Sequence, residues 1–220
     1  MLNAIWGVRD EILKSLGETA YMVIVSLVIA VIAGVFLGLL LFSTSNPLFI
    51  KNKVINKITG VILNIIQSLP FLILMIFLLP LSKLIVGTKI GTSAVIVPLS
   101  ISATAFFARL SESSFSAVNQ GVLEAYIASG AGKLSVIFKI LIPEALSSLA
   151  VNITVTTITV LGFSAMSGLV GGGGLGDLAY RYGYQRYQTE IMIACVVILV
   201  VLVQVIQWTG EKIAKGLSKK

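Results

Sequence analysis

The chain has 220 residues, of which 57% are hydrophobic and 11% charged, and its mean hydropathy is +1.02. Soluble domains carry roughly a quarter charged residues, so a water-soluble enzyme, a disordered chain and a collagen-like fibre all fit poorly, and the chain belongs in a bilayer. The net charge is +7 with no His and one Cys, Cys195, inside an apolar run, which removes disulfides, a zinc site and a histidine triad together.

Charge-free stretches between consecutive ionisable residues run 19–50, 58–82, 90–108, 145–176 and 191–210, with lengths of 32, 25, 19, 32 and 20 residues. A helix needs about 20 residues to cross the hydrocarbon, and closes its backbone hydrogen bonds within itself. The reading is therefore all-α, with five transmembrane helices near 19–42, 58–80, 92–110, 146–169 and 190–210. Residues 1–18 form an external N-terminal segment; Asp10, Glu11 and Glu18 and the length of the first span argue against a cleaved signal peptide. In the first span Gly34 and Gly38 make a G-x-x-x-G that predicts close helix packing. Pro70, within Gln67–Phe71, predicts a kink or an opened hydrogen-bond ladder in the second span, and Pro98 does the same for the third.

Between the third and fourth spans lies a charged loop, 111–144. Leu134, Ile137, Phe138 and Leu141 recur at helical spacing after Gly130 and Gly132, which reads as short helix, glycine turn, short amphipathic helix. The fourth span carries Asn152, Thr156, Thr159, Phe163 and Met166 or Ser167 along one helical face, a candidate lining for a passage; hydroxyls bonded back to their own helix are the plainer alternative. Translocation-pathway candidates are Ser68, Thr156, Thr159, Ser164 and Met166. Gly171, Gly173 and Gly176 satisfy G-x-G-x-x-G without a strand before them, so a flexible hinge is expected rather than a dinucleotide site. Tyr180 to Tyr187 (YRYGYQRY) sits at a membrane interface, as a belt anchor or an external contact. The fifth span leads into a tail, 211–220.

Loop cations set the orientation. Ten of the sixteen Lys and Arg (Lys51, Lys53, Lys57, Arg109, Lys133, Lys139, Lys212, Lys215, Lys219 and Lys220) fall on one side and six on the other, favouring N-out, C-in. Spread over membrane ends, these charges demote nucleic-acid binding. No span holds an interior ionisable residue to handle a coupling ion, so uphill transport needs a partner's energy. The loop's GAGKLS, residues 130–135, lacks the first glycine and the Ser/Thr of a P-loop, so this chain is not expected to hydrolyse ATP.

Glu124, Ala125, Gly130, Ile140 and Pro143 stand at the spacing of the E-A-A-x3-G-x9-I-x-L-P signature, with Tyr126 and Ile142 replacing its second alanine and its leucine. In this the chain resembles importer-type ABC permeases. Over nearly its whole length it is similar to the methionine-importing permeases of bacteria, in Gln67–Phe71, Leu84–Thr88, Val97–Leu99, Phe163–Gly176 and Tyr180–Tyr187. The resemblance implies a type I importer fold in the bacterial inner membrane and a homodimeric pathway. Two cytoplasmic ATPase subunits would use the ATP and magnesium, an external solute-binding lipoprotein would deliver an amino acid, and no cofactor would bind this chain. It also implies that Glu124, Ala125, Tyr126, Gly130, Ile140 and Pro143 couple the loop to the ATPase. A permease for another small solute, and a membrane scaffold without transport, stay open.

Overall fold

The structure, a computed structural model, describes residues 6–218, so the first five residues of the expected external segment, and Lys219 and Lys220 of the tail, lie outside the described residues. The long helices are α1 (Arg9–Ser45), α4 (Thr92–Ser116) and α9 (Thr189–Ser218), with the pair α2 (Lys53–Ser68) and α3 (Phe71–Val86) between the first two. After α4 come α5 (Gln120–Ala128), α6 (Lys133–Val136) and α7 (Ile142–Met166), the last two joined by a π-helical segment, Ile137–Leu141. A 3-10 turn, Ser167–Val170, leads to the short α8 (Gly174–Leu178) and a second π-helical segment, Ala179–Gln185.

Among the described residues, four helical rods are long and apolar enough to cross a membrane, and the α2–α3 pair, bent by 110°, makes a fifth crossing if it is one span. The single helix expected near 58–80 is thus two. Pro70 provides the N-cap of α3 and Leu69 is extended, because a proline disfavours helical geometry in the residue before it and donates no amide. Pro98, by contrast, lies inside an unbroken α4.

The helices also outrun the charge-free stretches. α1 begins at Arg9, and Asp10 and Glu11 occupy its first turn, where carboxylates complement the helix dipole. The fourth crossing begins at Lys133 and runs without interruption to Val170, so the expected short amphipathic helix is the inner end of that rod. Charges mark where the hydrocarbon stops, whereas a helix continues into water or protein beyond it.

α1 and α4 pack along a seam of small residues, among them Ala30, Gly34 and Gly38, all buried. A Cβ on Gly34 would come 2.8 Å from Phe107, and one on Gly38 would come 2.6 Å from Ser111 Cβ and 2.9 Å from the Ala108 carbonyl, so the expected close packing is present and no larger residue fits. One apolar core joins Met22, Met75, Val95, Leu99 and Val160; another, toward the loop, joins Phe42, Phe107, Phe115, Leu123 and Leu141. Asparagines shape the α1–α2 corner. Asn52 accepts from the amides of Val54 and Ile55, both at 3.1 Å, and Asn56 Nδ2 donates to the Leu41 carbonyl at 2.9 Å.

Candidate coupling and translocation surfaces

α5 is nine residues long, too short to stand alone in water. It is held from three sides. Asn119 caps it by accepting from the Gly121 amide at 2.9 Å. Leu123, fully buried, anchors it in the cluster of Phe42, Phe115, Val136 and Leu141. At its end Gly130 takes φ +88, the Gly130 amide donates to the Ile127 carbonyl at 3.0 Å, and the Ala131 amide donates to the Tyr126 carbonyl at 3.2 Å. This paired closure is the Schellman arrangement, in which glycine escapes the left-handed penalty. Beyond the turn, Lys133 Nζ donates to the Phe49 carbonyl at 2.7 Å, fixing it to the α1–α2 corner.

The outcome is a helix fastened by one face and bare on the other. Glu124, Ala125 and Tyr126 are exposed, as are Val122 and, beyond the turn, Leu134 and Phe138. Gly130 and Pro143 are exposed as well, and Ile140 is half-buried. The expected common face of Leu134, Ile137, Phe138 and Leu141 is divided: Leu141 is fully buried while Leu134 is 72% and Phe138 65% exposed. The π segment between them is the reason. Its i→i+5 turn inserts a residue, so it is Val136 and Leu141, five apart, that share the buried side.

In α7 the hydroxyls turn inward on their own helix. Thr154, Thr156, Thr157 and Thr159 donate to the carbonyls of Ala150, Asn152, Ile153 and Val155 at 3.0, 2.7, 2.7 and 2.9 Å. Ser164 donates to Leu161 at 2.8 Å, and Ser68, in α2, to Asn64 at 2.7 Å. A threonine bonded in this way presents chiefly its methyl group to whatever passes. Thr156 and Ser164 are buried within the protomer, Thr159 is half-buried, and Ser68 and Met166 are exposed. Asn152 faces α4, donating to the Leu110 carbonyl at 3.1 Å and Ser114 Oγ at 2.7 Å, and Phe163 stacks on Phe71 with ring centroids 4.3 Å apart. The face predicted as one stripe therefore divides between the protomer's interior and an open side next to the Leu69–Pro70 break.

At the outer end the glycine run is a fitted joint, not the flexible hinge expected of it. A Cβ on Gly176 would lie 2.0 Å from the Ala165 carbonyl oxygen, and one on Gly168 would lie 2.3 Å from the Asp177 amide. Glu18 Oε2 accepts from the Gly174 amide at 2.8 Å, and Thr19 Oγ1 from that of Leu175 at 2.9 Å, tying α1 to α8. Nearby, Tyr182 donates to Glu11 Oε1 at 2.6 Å. That bond raises the phenol above its ordinary value, and Arg186, whose guanidinium lies 4.4 Å from the ring centroid, opposes the rise.

A family model described as a binding-protein-dependent transport system inner membrane component matches residues 30–219. A Vibrio cholerae protein called a probable D-methionine transport system permease, MetI, is 45% identical over 211 residues, covering 96% of this chain and 94% of its own. A Bacillus subtilis protein called the methionine import system permease MetP is 41% identical over 181 residues, 82% of each chain. Among solved structures, a chain of the MetNI methionine ABC transporter, described as inward facing, superposes with a TM-score of 0.94 at 38% identity, covering 96% of this chain and 98% of that one.

Proposed function

The chain belongs to the family of binding-protein-dependent transport system inner membrane components, and we propose on that footing that it is the permease subunit of an ATP-driven importer of methionine or a close amino-acid analogue. Its place is the bacterial inner membrane, where it spans the bilayer several times; it is a transport subunit, and ATP hydrolysis belongs to a separate ATPase subunit. The observation that carries the reading is α5, anchored through Leu123 to the helices that cross the membrane while its other face stays bare.

In this mechanism α5 seats on an ATPase subunit by its exposed side, with Glu124, Ala125 and Tyr126 at the contact. Closure of the two ATPases about their nucleotides displaces α5 as a rigid body. Leu123 passes the displacement to Val136 and Leu141, and so to the rod that contains α7. Gly130 keeps the turn compact, and Ile140 and Pro143 fix the point where the rod enters the membrane.

A second copy of the chain completes the pathway. α2 buries only Leu63 within its own protomer, leaving Ile58, Val61, Ile62 and Ile65 exposed, a face suited to cover by another copy. Ser68, Thr159 and Met166 then border the passage, beside the helix break at Leu69–Pro70, while Thr156 and Ser164 lie behind them and position α7. With the hydroxyls bonded to their own helices, the lining is weakly polar. It holds a zwitterionic solute loosely, and selection rests with the external binding protein that delivers it.

Vesicles containing the permease, its ATPase and its binding protein should accumulate radiolabelled methionine only with ATP. Stimulated ATP hydrolysis with uptake of another solute and none of methionine would replace the substrate; a formed complex with no solute-dependent uptake would leave a scaffold.

A further inference from the structure

The outer end of the molecule carries a groove that the transport reading does not use. It lies between the start of α1 and the start of α9, has a volume of about 470 Å³, and is walled by Ile12, Leu13, Ala194 and Val197, with Trp6, Arg9 and Glu190 also lining it. Its polarity is directional. Arg9 is the first residue of α1 and Glu190 the second of α9, so both charges sit at the rim and the apolar residues follow as the two helices run inward. The start of α1 has two faces: Ile12 and Leu13 line this groove, whereas Glu11, Lys14, Ser15 and Glu18 line a separate polar pocket with Arg181, so these charges, ahead of the first charge-free stretch, lie off the apolar side. The groove is level with the first turns of α9, where a helix advances roughly 12 Å from Glu190 to Ile198, the last lining residue, within one leaflet of a core about 30 Å thick.

A charged rim over an apolar trough matches an amphiphile, and the two rim charges narrow the choice. A guanidinium matches a phosphate and a carboxylate matches an ammonium that can donate hydrogen bonds. We propose that this groove holds one outer-leaflet phospholipid with a zwitterionic headgroup bearing a primary amine, as in phosphatidylethanolamine. Its phosphate lies against Arg9, its ammonium donates to Glu190, and an acyl chain runs along Leu13, Ala194 and Val197. Trp6, whose ring has the Arg9 guanidinium 5.5 Å from its centroid, closes the rim at the depth where indoles prefer to sit. The lipid thereby ties the first and last crossings of the chain together.

The test is native mass spectrometry of the full chain, purified in detergent with its ATPase subunits and given equimolar phosphatidylethanolamine, phosphatidylcholine and phosphatidylglycerol of identical acyl chains. The ethanolamine lipid should be retained roughly tenfold over the other two, as one charge-assisted hydrogen bond allows. Phosphatidylcholine lacks an N–H to donate, and phosphatidylglycerol sets a net negative headgroup beside Glu190. Glu190→Gln should erase the preference while leaving lipid bound, and Ala194→Trp, which fills the trough, should remove retention of all three. Equal retention of the three lipids by the unaltered protein, or a preference unchanged in Glu190→Gln, overturns the proposal, and so does undiminished retention in an assembled Ala194→Trp. Should Ala194→Trp not assemble, Glu190→Gln alone decides.

Discussion

At the scale of single residues, glycine does three different jobs in this chain, and only the surroundings tell them apart. Gly130 supplies a backbone angle in open space; no atom stands within 4 Å of where its Cβ would be. Gly34 and Gly38 supply closeness between two helices. Gly168 and Gly176 fit the outer joint, where added methyls would strike backbone. Gly176→Ala should therefore lower the thermal stability of the purified permease sharply, by several kcal/mol of the overpacking kind, whereas Gly132→Ala, with nothing within 4 Å, should leave the melting temperature nearly unchanged. Equal tolerance of both would refute the joint. The G-x-x-x-G spacing was legible from sequence because its partner geometry is generic. The outer run was not, since the atoms that crowd it, at Ala165 and Asp177, are brought there by the 3-10 turn and α8 rather than by any periodic pattern. The threonines of α7 were half legible: their positions follow the helical repeat, but the direction of each hydroxyl depends on a carbonyl four residues back.

At the scale of elements, α5 shows how much a short helix depends on one side chain. Leu123→Ala should cost about 2–5 kcal/mol of local packing, and the bilayer-embedded helices do not need it. The variant is expected to insert and assemble into the membrane but to lose most ATP-driven uptake, with ATP hydrolysis no longer responding to the binding protein; uptake within about twofold of the unaltered protein would show that α5 does not transmit force through this anchor. The loop's two-helix organisation could be read from Gly130 and Gly132 and the apolar spacing that follows them. Its extent could not, because Lys133 and Lys139 look like the edge of a loop while the backbone is already helical. The π segment was invisible for a related reason: a residue inserted into a turn changes which positions share a face without changing composition.

At the scale of the whole molecule, the crossings were legible in the lengths between charges, five when the bent α2–α3 pair counts as one span, and the distribution of lysine and arginine predicts their orientation. In a Cys195→Ala background, a cysteine at Tyr126 should react with a membrane-impermeant maleimide only from the cytoplasmic side, and one at Tyr187, which is 88% exposed, only from outside. Labelling of position 126 from outside would invert the topology and remove the docking role of α5. The rod from Lys133 to Val170 has 38 residues, about 57 Å at 1.5 Å per residue, well beyond the hydrocarbon it crosses. One end adjoins α5, the helix proposed to seat on the ATPase; the other ends at the joint fastened by Glu18 and Gly174. A stiff strut of this kind carries no preferred direction. On the proposed mechanism, the free energy that couples a docked binding protein at the outer face to the nucleotide sites acts equally in both directions, so nucleotide occupancy should change receptor affinity by the same factor as the receptor changes nucleotide affinity.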